Sequence, residues 1–396
     1  MKTDQRLQRA AGLLGLLIAL TGCGGGTDAG TTTAVMSDTA ALGAKIFADP
    51  SLSASGQMSC ASCHSPQAAF APTNSLAVQF GGAQMTTPGF RAVPSLRYLN
   101  LTPAFFFAQD GTPTGGFDRD GRANTLFEQA ARPFLAPHEM ANDSEQAVVD
   151  KLAQASYASE FRRIFGDTVF SNPDAAFQGA RYALQRYQQE NTADFAPYSS
   201  KYDAFLASKA TLTDQELRGL ALFNNPAKGN CAACHPSAPS GDGTPPLFTD
   251  FTYDNLGVPR NTDIPATADP SYYDLGLCGP DRTDLVATHP ELCGAFKVPT
   301  LRNVATRQAF FHNGKFKTLK DALRFYVTRD TNPELWYPLV NGVPDKFNDL
   351  PAKYRANVNT TEVPYNRKPG QTPALSDSDI DDLAAFLATL TDGYTP

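Results

Sequence analysis

Apolar positions recur at helical spacing in four stretches of the chain. Segment 42–50 reads as a short amphipathic helix with Phe47 near its end and Pro50 as its stop. Segment 217–226 repeats that design with Phe223 and Pro226, and Thr213 with Glu216 supplies a capping box ahead of it. Segment 173–190 places Ala176, Ala180, Ala183, Leu184 and Tyr187 on one face. Segment 376–390 does the same with Ile380, Leu383, Ala384, Phe386 and Leu387. Asp377, Asp379, Asp381 and Asp382 load the first turns of that last helix, where the helix dipole favours anions. Alternating strand patterns are scarce. No apolar run reaches the roughly 18 residues of a membrane span.

A further apolar run, 13–20, follows Lys2, Arg6 and Arg9 and has the form of an export signal. Leu20-Thr21-Gly22-Cys23 then resembles a bacterial lipobox, so residues 1–22 are expected to be a lipoprotein signal peptide and Cys23 the lipidated residue. Residues 23–40 are expected to form a flexible tether. Gly24 rather than Asp after the cysteine points to the outer membrane, with the protein facing the periplasm. The lipid would be its only membrane attachment. Thirty glycines and 30 prolines in 396 residues require long loops. A net charge of −7 leaves no basic excess to hold phosphates, which argues against nucleic-acid binding.

Seven cysteines occur. Cys60-Ala61-Ser62-Cys63-His64 and Cys231-Ala232-Ala233-Cys234-His235 are both C-x-x-C-H, the attachment motif of c-type haem. Two thiols at this spacing each add to one haem vinyl group, and the following imidazole faces the iron. A zinc knuckle and a redox C-x-x-C are the competing readings; a redox motif does not require the following histidine twice, and an exported chain with helical surroundings favours haem over zinc. Two covalent haems are therefore expected. Cys278 and Cys293 flank a Gly-, Pro- and Asp-rich loop. An oxidising compartment permits a disulfide there, with free buried thiols as the alternative.

Helix, C-x-x-C-H, loops and closing helix is the plan of a class I cytochrome c. It occurs twice, so the expected fold is all-α, with two cytochrome c-like haem domains at 41–205 and 206–396 and long loops. Residues 236–293 form an insertion-like region carrying Tyr272, Tyr273 and His289. His289 is expected to be solvated, His138 to be structural and Trp336 to be a packing residue.

These motifs, with two further signatures, resemble the bacterial di-haem cytochrome c peroxidase/MauG family across nearly all of the mature chain. The first signature is Asp120-Gly121-Arg122-Ala123, Leu126, Glu128-Gln129-Ala130, Pro133 and Pro137-His138-Glu139-Met140. The second runs from Phe296-Lys297-Val298-Pro299-Thr300-Leu301-Arg302-Asn303-Val304 to Phe311-His312-Asn313-Gly314 and Thr318-Leu319. The resemblance implies that His64 is the proximal ligand of the haem that meets hydrogen peroxide, and that Gln129, Pro133 and Glu139 line its distal pocket. It implies His235 as proximal ligand of the second haem. Tyr326 stands where that haem's other axial ligand falls, a Met in classical peroxidases and a Tyr in MauG. The implied activity is peroxide reduction at the N-terminal haem, with electrons passed through the C-terminal haem. A small donor protein, a cytochrome c or a cupredoxin, would supply them. The alternative is a MauG-like oxidation of Trp or Tyr side chains in a partner protein.

Departures from the family pattern matter. Residues 65–119 contain no histidine, so the removable distal histidine of classical peroxidases is missing and the peroxide site is expected to be open from the start. Arg119 takes the place of the family's inter-haem Trp and cannot relay charge by redox; Tyr98 is the candidate substitute. Ala92 replaces the Asn of the family's calcium site, which leaves calcium open. A di-haem electron carrier without peroxide chemistry is the rival of another class. It needs a residue opposite His64, for which Met85 is the candidate.

Overall fold

The computed structural model describes residues 35–395. Cys23, the leader and most of the tether lie outside the described residues. Helices dominate, and the strands are two-residue antiparallel ribbons such as Phe80–Gly81 with Thr87–Pro88. No described helix is long and apolar enough to cross a membrane.

The four expected helices are present. The first runs Asp38–Ala48, with Ser37 as its N-cap, and so includes the end of the segment read as tether. The others are Pro173–Glu190, Asp214–Asn224 and Asp377–Ala388. The Thr213/Glu216 capping box forms, and Ser376 makes a second with Asp379. Each half crosses its opening helix over its closing helix at a glycine. A Cβ on Gly43 would lie 2.0 Å from the Ala183 carbonyl oxygen, and one on Gly219 would lie 2.1 Å from that of Asp382. Only a bare Cα lets the two backbones come that close.

Two aromatic-rich cores result. One gathers Leu42, Phe47, Phe70, Phe134, Phe177, Leu184 and Phe195. The other gathers Tyr202, Phe223, Phe248, Leu383, Phe386 and Leu390. Trp336 packs edge-on against Phe316 and Phe325 while its Nε1 donates to Thr328, a packing role as expected.

The halves repeat one another beyond the helices. Val93-Pro94-Ser95-Leu96-Arg97 matches Val298-Pro299-Thr300-Leu301-Arg302. Ser95 Oγ donates to the Ala69 carbonyl and Thr300 Oγ1 to the Leu247 carbonyl. Tyr98 and Asn303, next in each copy, both adopt positive φ (65° and 61°). A second repeat pairs Phe117 to Leu126 with Phe310 to Leu319. Phe117 bridges Ala123 as Phe310 bridges Phe316. Asp118 and Phe311 have φ of 63° and 64°, and Thr125 and Thr318 cap the helices that follow. The two copies meet reciprocally. Ala92 N–H donates to the His312 carbonyl (2.7 Å), and Lys297 N–H donates to the Arg119 carbonyl (2.9 Å).

The Cys278–Cys293 disulfide forms (S–S 2.11 Å). Its loop reaches back onto the first half. Arg282 donates to the Asp120 carbonyl (2.9 Å), and Asp281 pairs with Arg132 (2.7 Å).

Candidate active site

Each C-x-x-C-H places its histidine the same way. Cys60–Cys63 is a single helical turn, and Cys231–Ala233 is a 3-10 turn. His64 Nδ1 lies 3.1 Å from the Phe70 carbonyl, and His235 Nδ1 lies 2.7 Å from that of Phe248. Phe70 and Phe248 are both at positive φ, which turns those carbonyls toward the rings. A carbonyl partner fixes Nδ1 as the protonated nitrogen and leaves Nε2 as the lone-pair donor. Burial pushes His64 down to about 4 and lowers His235 as well. Both rings are therefore neutral, as a metal ligand must be.

The four motif cysteines are unpaired. Burial raises Cys60, Cys231 and Cys234 to about 12 and Cys63 to about 11. Among the described residues no group of three or more His, Cys, Asp and Glu is placed to hold a metal ion. The arrangement suits porphyrin attachment instead. Cys231, Cys234 and His235 open on a cavity of about 310 Å³ lined by Leu301, Val304, Phe311 and Leu323. Tyr326 lines the same cavity. Burial and the neighbouring Asp254 charge push its phenol well above the usual tyrosine range. A phenolate there needs a cation on the cavity side.

The first site is polar on its open side. Glu139 faces the thiols, since its charge adds to the rise of both Cys60 and Cys63. Burial, then the Asp118 charge, raises the Glu139 carboxyl to about 7, against the pull of Arg132 and Arg122. Its side chain still keeps 42 % of its surface accessible. Gln129 Nε2 lies 3.4 Å from Asp118 Oδ1, and Arg122 links Asp118 (3.2 Å) with Asp281 (3.4 Å). Pro133 lies in the turn Arg132–Leu135 between Gln129 and Glu139.

Sequence reasoning missed Asp118 and Asp281. Asp281 comes from the other half through the disulfide loop, and no local pattern announces it. It also missed the Val-Pro-Ser/Thr-Leu-Arg repeat, whose signal was a near-identical string in the two halves. That repeat leads to a sharper one. Continuing the register from Thr125/Thr318 sets Pro133 opposite Tyr326. At matching helical positions the first half offers no donor atom and the second offers a phenol.

His138 Nε2 lies 3.9 Å from Glu139, and Met85 packs on the same core as Cys60 and Cys63. His289 pairs with Glu291 (3.0 Å) and stacks on Phe107. His138 packs against Phe90. Met85 sulfur accepts from Ser55 (3.4 Å). Tyr98 is buried on the cavity wall, and its hydroxyl donates to Asp392 (2.7 Å). Ala92 offers only a methyl group, and its carbonyl accepts from Arg119 Nε (2.8 Å).

Two C-x-x-C-H sites with neutral, carbonyl-held histidines fit a c-type di-haem protein. A family model described as di-haem cytochrome c peroxidase matches residues 37–211. The chain is 35% identical over 368 residues to methylamine utilization protein MauG of Paracoccus denitrificans, covering 89% of this chain and 88% of that one. It is 28% identical over 304 residues to cytochrome c551 peroxidase of Nitrosomonas europaea, covering 75% and 76%. The crystal structure of the diheme peroxidase BthA from Burkholderia thailandensis is similar at a TM-score of 0.82 and 43% identity, covering 89% of this chain and 86% of that one. The chain belongs to the di-haem cytochrome c peroxidase/MauG family and is an oxidoreductase of that family. Membership implies two c-type haems.

Proposed function

We propose that this protein is a di-haem peroxidase with MauG-like ligation, reacting with hydrogen peroxide at the Cys60/Cys63/His64 haem. Each bound haem supplies an iron that can take an oxygen ligand or exchange an electron. The observation that carries the reading is the pairing of Pro133 with Tyr326 at matching positions, beside a carboxyl raised to about 7.

His64 and His235, each held by its carbonyl partner, would hold the haems through Nε2. Pro133 has no side-chain donor atom to offer the first haem. Glu139 takes the proton from the near oxygen of peroxide and returns it to the departing oxygen, a transfer best served by a pKa near the working pH. Gln129, oriented by Asp118, holds the peroxide. Tyr326 Oη, on the wall of the second haem's cavity, would be that haem's oxygen ligand, and an anionic phenolate would favour the oxidised metal.

The relatives support two routes for the returning electrons. One is a small cytochrome c or cupredoxin donor; the other is a Trp or Tyr side chain of a partner protein. Tyr326 and the lack of histidine in 65–119 favour the second route, and Arg119 in place of a redox-active side chain favours the first. The fold is read as all-α, with haem domains 41–205 and 206–396. The signal at 1–22, Cys23 and the polar tether that follows support a lipid-anchored, periplasm-facing protein.

The test is the resting ferric holoprotein. A haemochrome spectrum should count two haems, and electron paramagnetic resonance should find one high-spin iron that peroxide abolishes. Two low-spin irons that persist on reduction would turn the reading into electron transfer alone.

A further inference from the structure

Arginines in this protein are generally paired when they are enclosed. Arg91 binds Asp120 and Asp274, Arg302 binds Asp203, and Arg329 binds Asp330. Arg119 and Arg307 break the rule. Among the described residues neither has a carboxylate within the 4.0 Å that defines an ion pair. Asp274, the carboxylate that acts on Arg119, is already held by two Arg91 nitrogens at 2.6 and 2.7 Å. Each guanidinium makes one bond to the same stretch of backbone. Arg119 Nε donates to the Ala92 carbonyl (2.8 Å), and Arg307 donates to that of Val93 (2.6 Å). Arg307 Nη1 is buried with no hydrogen-bond partner.

Their position is specific. Both arginines line the cavity that holds Cys231, Cys234, His235 and Tyr326. Burial and the neighbouring Arg307 and Arg91 charges push Arg119 down to about 9, and burial alone pushes Arg307 to about 10. Two cations beside one another, enclosed and unpaired, are costly unless anions join them.

The anion at hand is the cofactor's own. Every c-type haem carries two propionate carboxylates, and a planar guanidinium matches a carboxylate with two parallel N–H bonds. We propose that Arg119 and Arg307 are the counter-cations of the propionates of the second haem. This assignment rests on the two-haem reading. A fixed cation beside a haem favours the ferrous state, which has one positive charge fewer, so the pair raises the second haem's midpoint potential.

The test uses holoprotein with a verified haem count, redox-titrated separately for each haem. In R307Q the second haem's potential should fall further than the first's, and the propionate bending modes in resonance Raman should shift. In R119Q the second haem should fall further than the first. R307K, which keeps the charge, should stay nearer the wild-type potentials than R307Q. Potentials and propionate modes unchanged in both R307Q and R119Q would overturn the proposal while two haems remain. So would a wild-type potential that moves on adding phosphate or chloride, since a free anion would then be the occupant. A single haem in the wild type would overturn the two-haem reading, and this proposal with it.

Discussion

The two halves are copies of one design that differ where the chemistry is done. Both attach porphyrin through C-x-x-C-H, and both hold the histidine Nδ1 on a phenylalanine carbonyl at positive φ. Both carry a Val-Pro-Ser/Thr-Leu-Arg segment and, further along, a threonine-capped helix. After the cap they part. The second copy continues as one helix, Leu319–Thr328, and carries Tyr326 on the cavity wall. The first breaks into Leu126–Gln129 and Arg132–Leu135, with Pro133 just past the break. Proline lacks the N–H that would continue the hydrogen-bond ladder, so one substitution both removes a ligand and opens the helix. The break turns the chain toward Glu139 and lets Asp118, Arg122 and Asp281 gather around it. The halves share one plan, and on the proposed reading the difference at a single helical turn would separate a closed iron from an open one.

The largest expected effect breaks the open half. Glu139→Gln keeps shape but removes the proton acceptor, and should slow reaction with peroxide by about 10²–10⁴-fold in stopped-flow absorbance. The wild-type rate should climb as pH rises through about 7, because the carboxylate is the acceptor and burial holds that carboxyl at about 7. The E139Q profile should lose this limb. A variant with wild-type rates would remove Glu139 from the mechanism.

Next comes the closed half. Tyr326→Phe should convert the second haem to high-spin or let it take another ligand, and should raise its potential because an anionic donor is lost. The first haem's spectrum should stay as it was. An unchanged second-haem spectrum would reject Tyr326 as ligand and, with it, the contrast to Pro133.

Much of this contrast is legible in the amino-acid sequence. Haem attachment, the helix pairs and the capping boxes depend on neighbours a few residues apart, so spacing alone reveals them. Tyr326, Gln129 and Glu139 are reached only through resemblance, since nothing local distinguishes a ligand tyrosine from a packed one. Asp118 and Asp281 stay hidden because they meet Glu139 through long-range loop closure. The electrostatic status of Arg119 is equally illegible. Its identity announces that it cannot relay charge, but its lack of a carboxylate partner depends on Asp274 being taken by Arg91, more than 180 residues apart. The near-identical strings at 93–97 and 298–302 are readable and expose the duplication once they are set side by side.

The smallest expected effect tests whether the halves are mechanically equivalent as well. Gly43 and Gly219 sit at matching helix crossings, where a Cβ would press on a backbone carbonyl at 2.0 and 2.1 Å. Neither neighbour is a side-chain tip that could swing away, so the helices must separate. Overpacking of this kind costs about 1–3 kcal/mol, and the better helix propensity of alanine returns about 1 kcal/mol of it. Gly43→Ala and Gly219→Ala should therefore lower the thermal midpoint of the holoprotein by similar, modest amounts. Each transition should remain single, because the Ala92–His312 and Lys297–Arg119 backbone pairs tie the two copies together. Gly43→Ala melting in two steps, with the first haem released ahead of the second, would show the copies to be energetically independent despite those bonds.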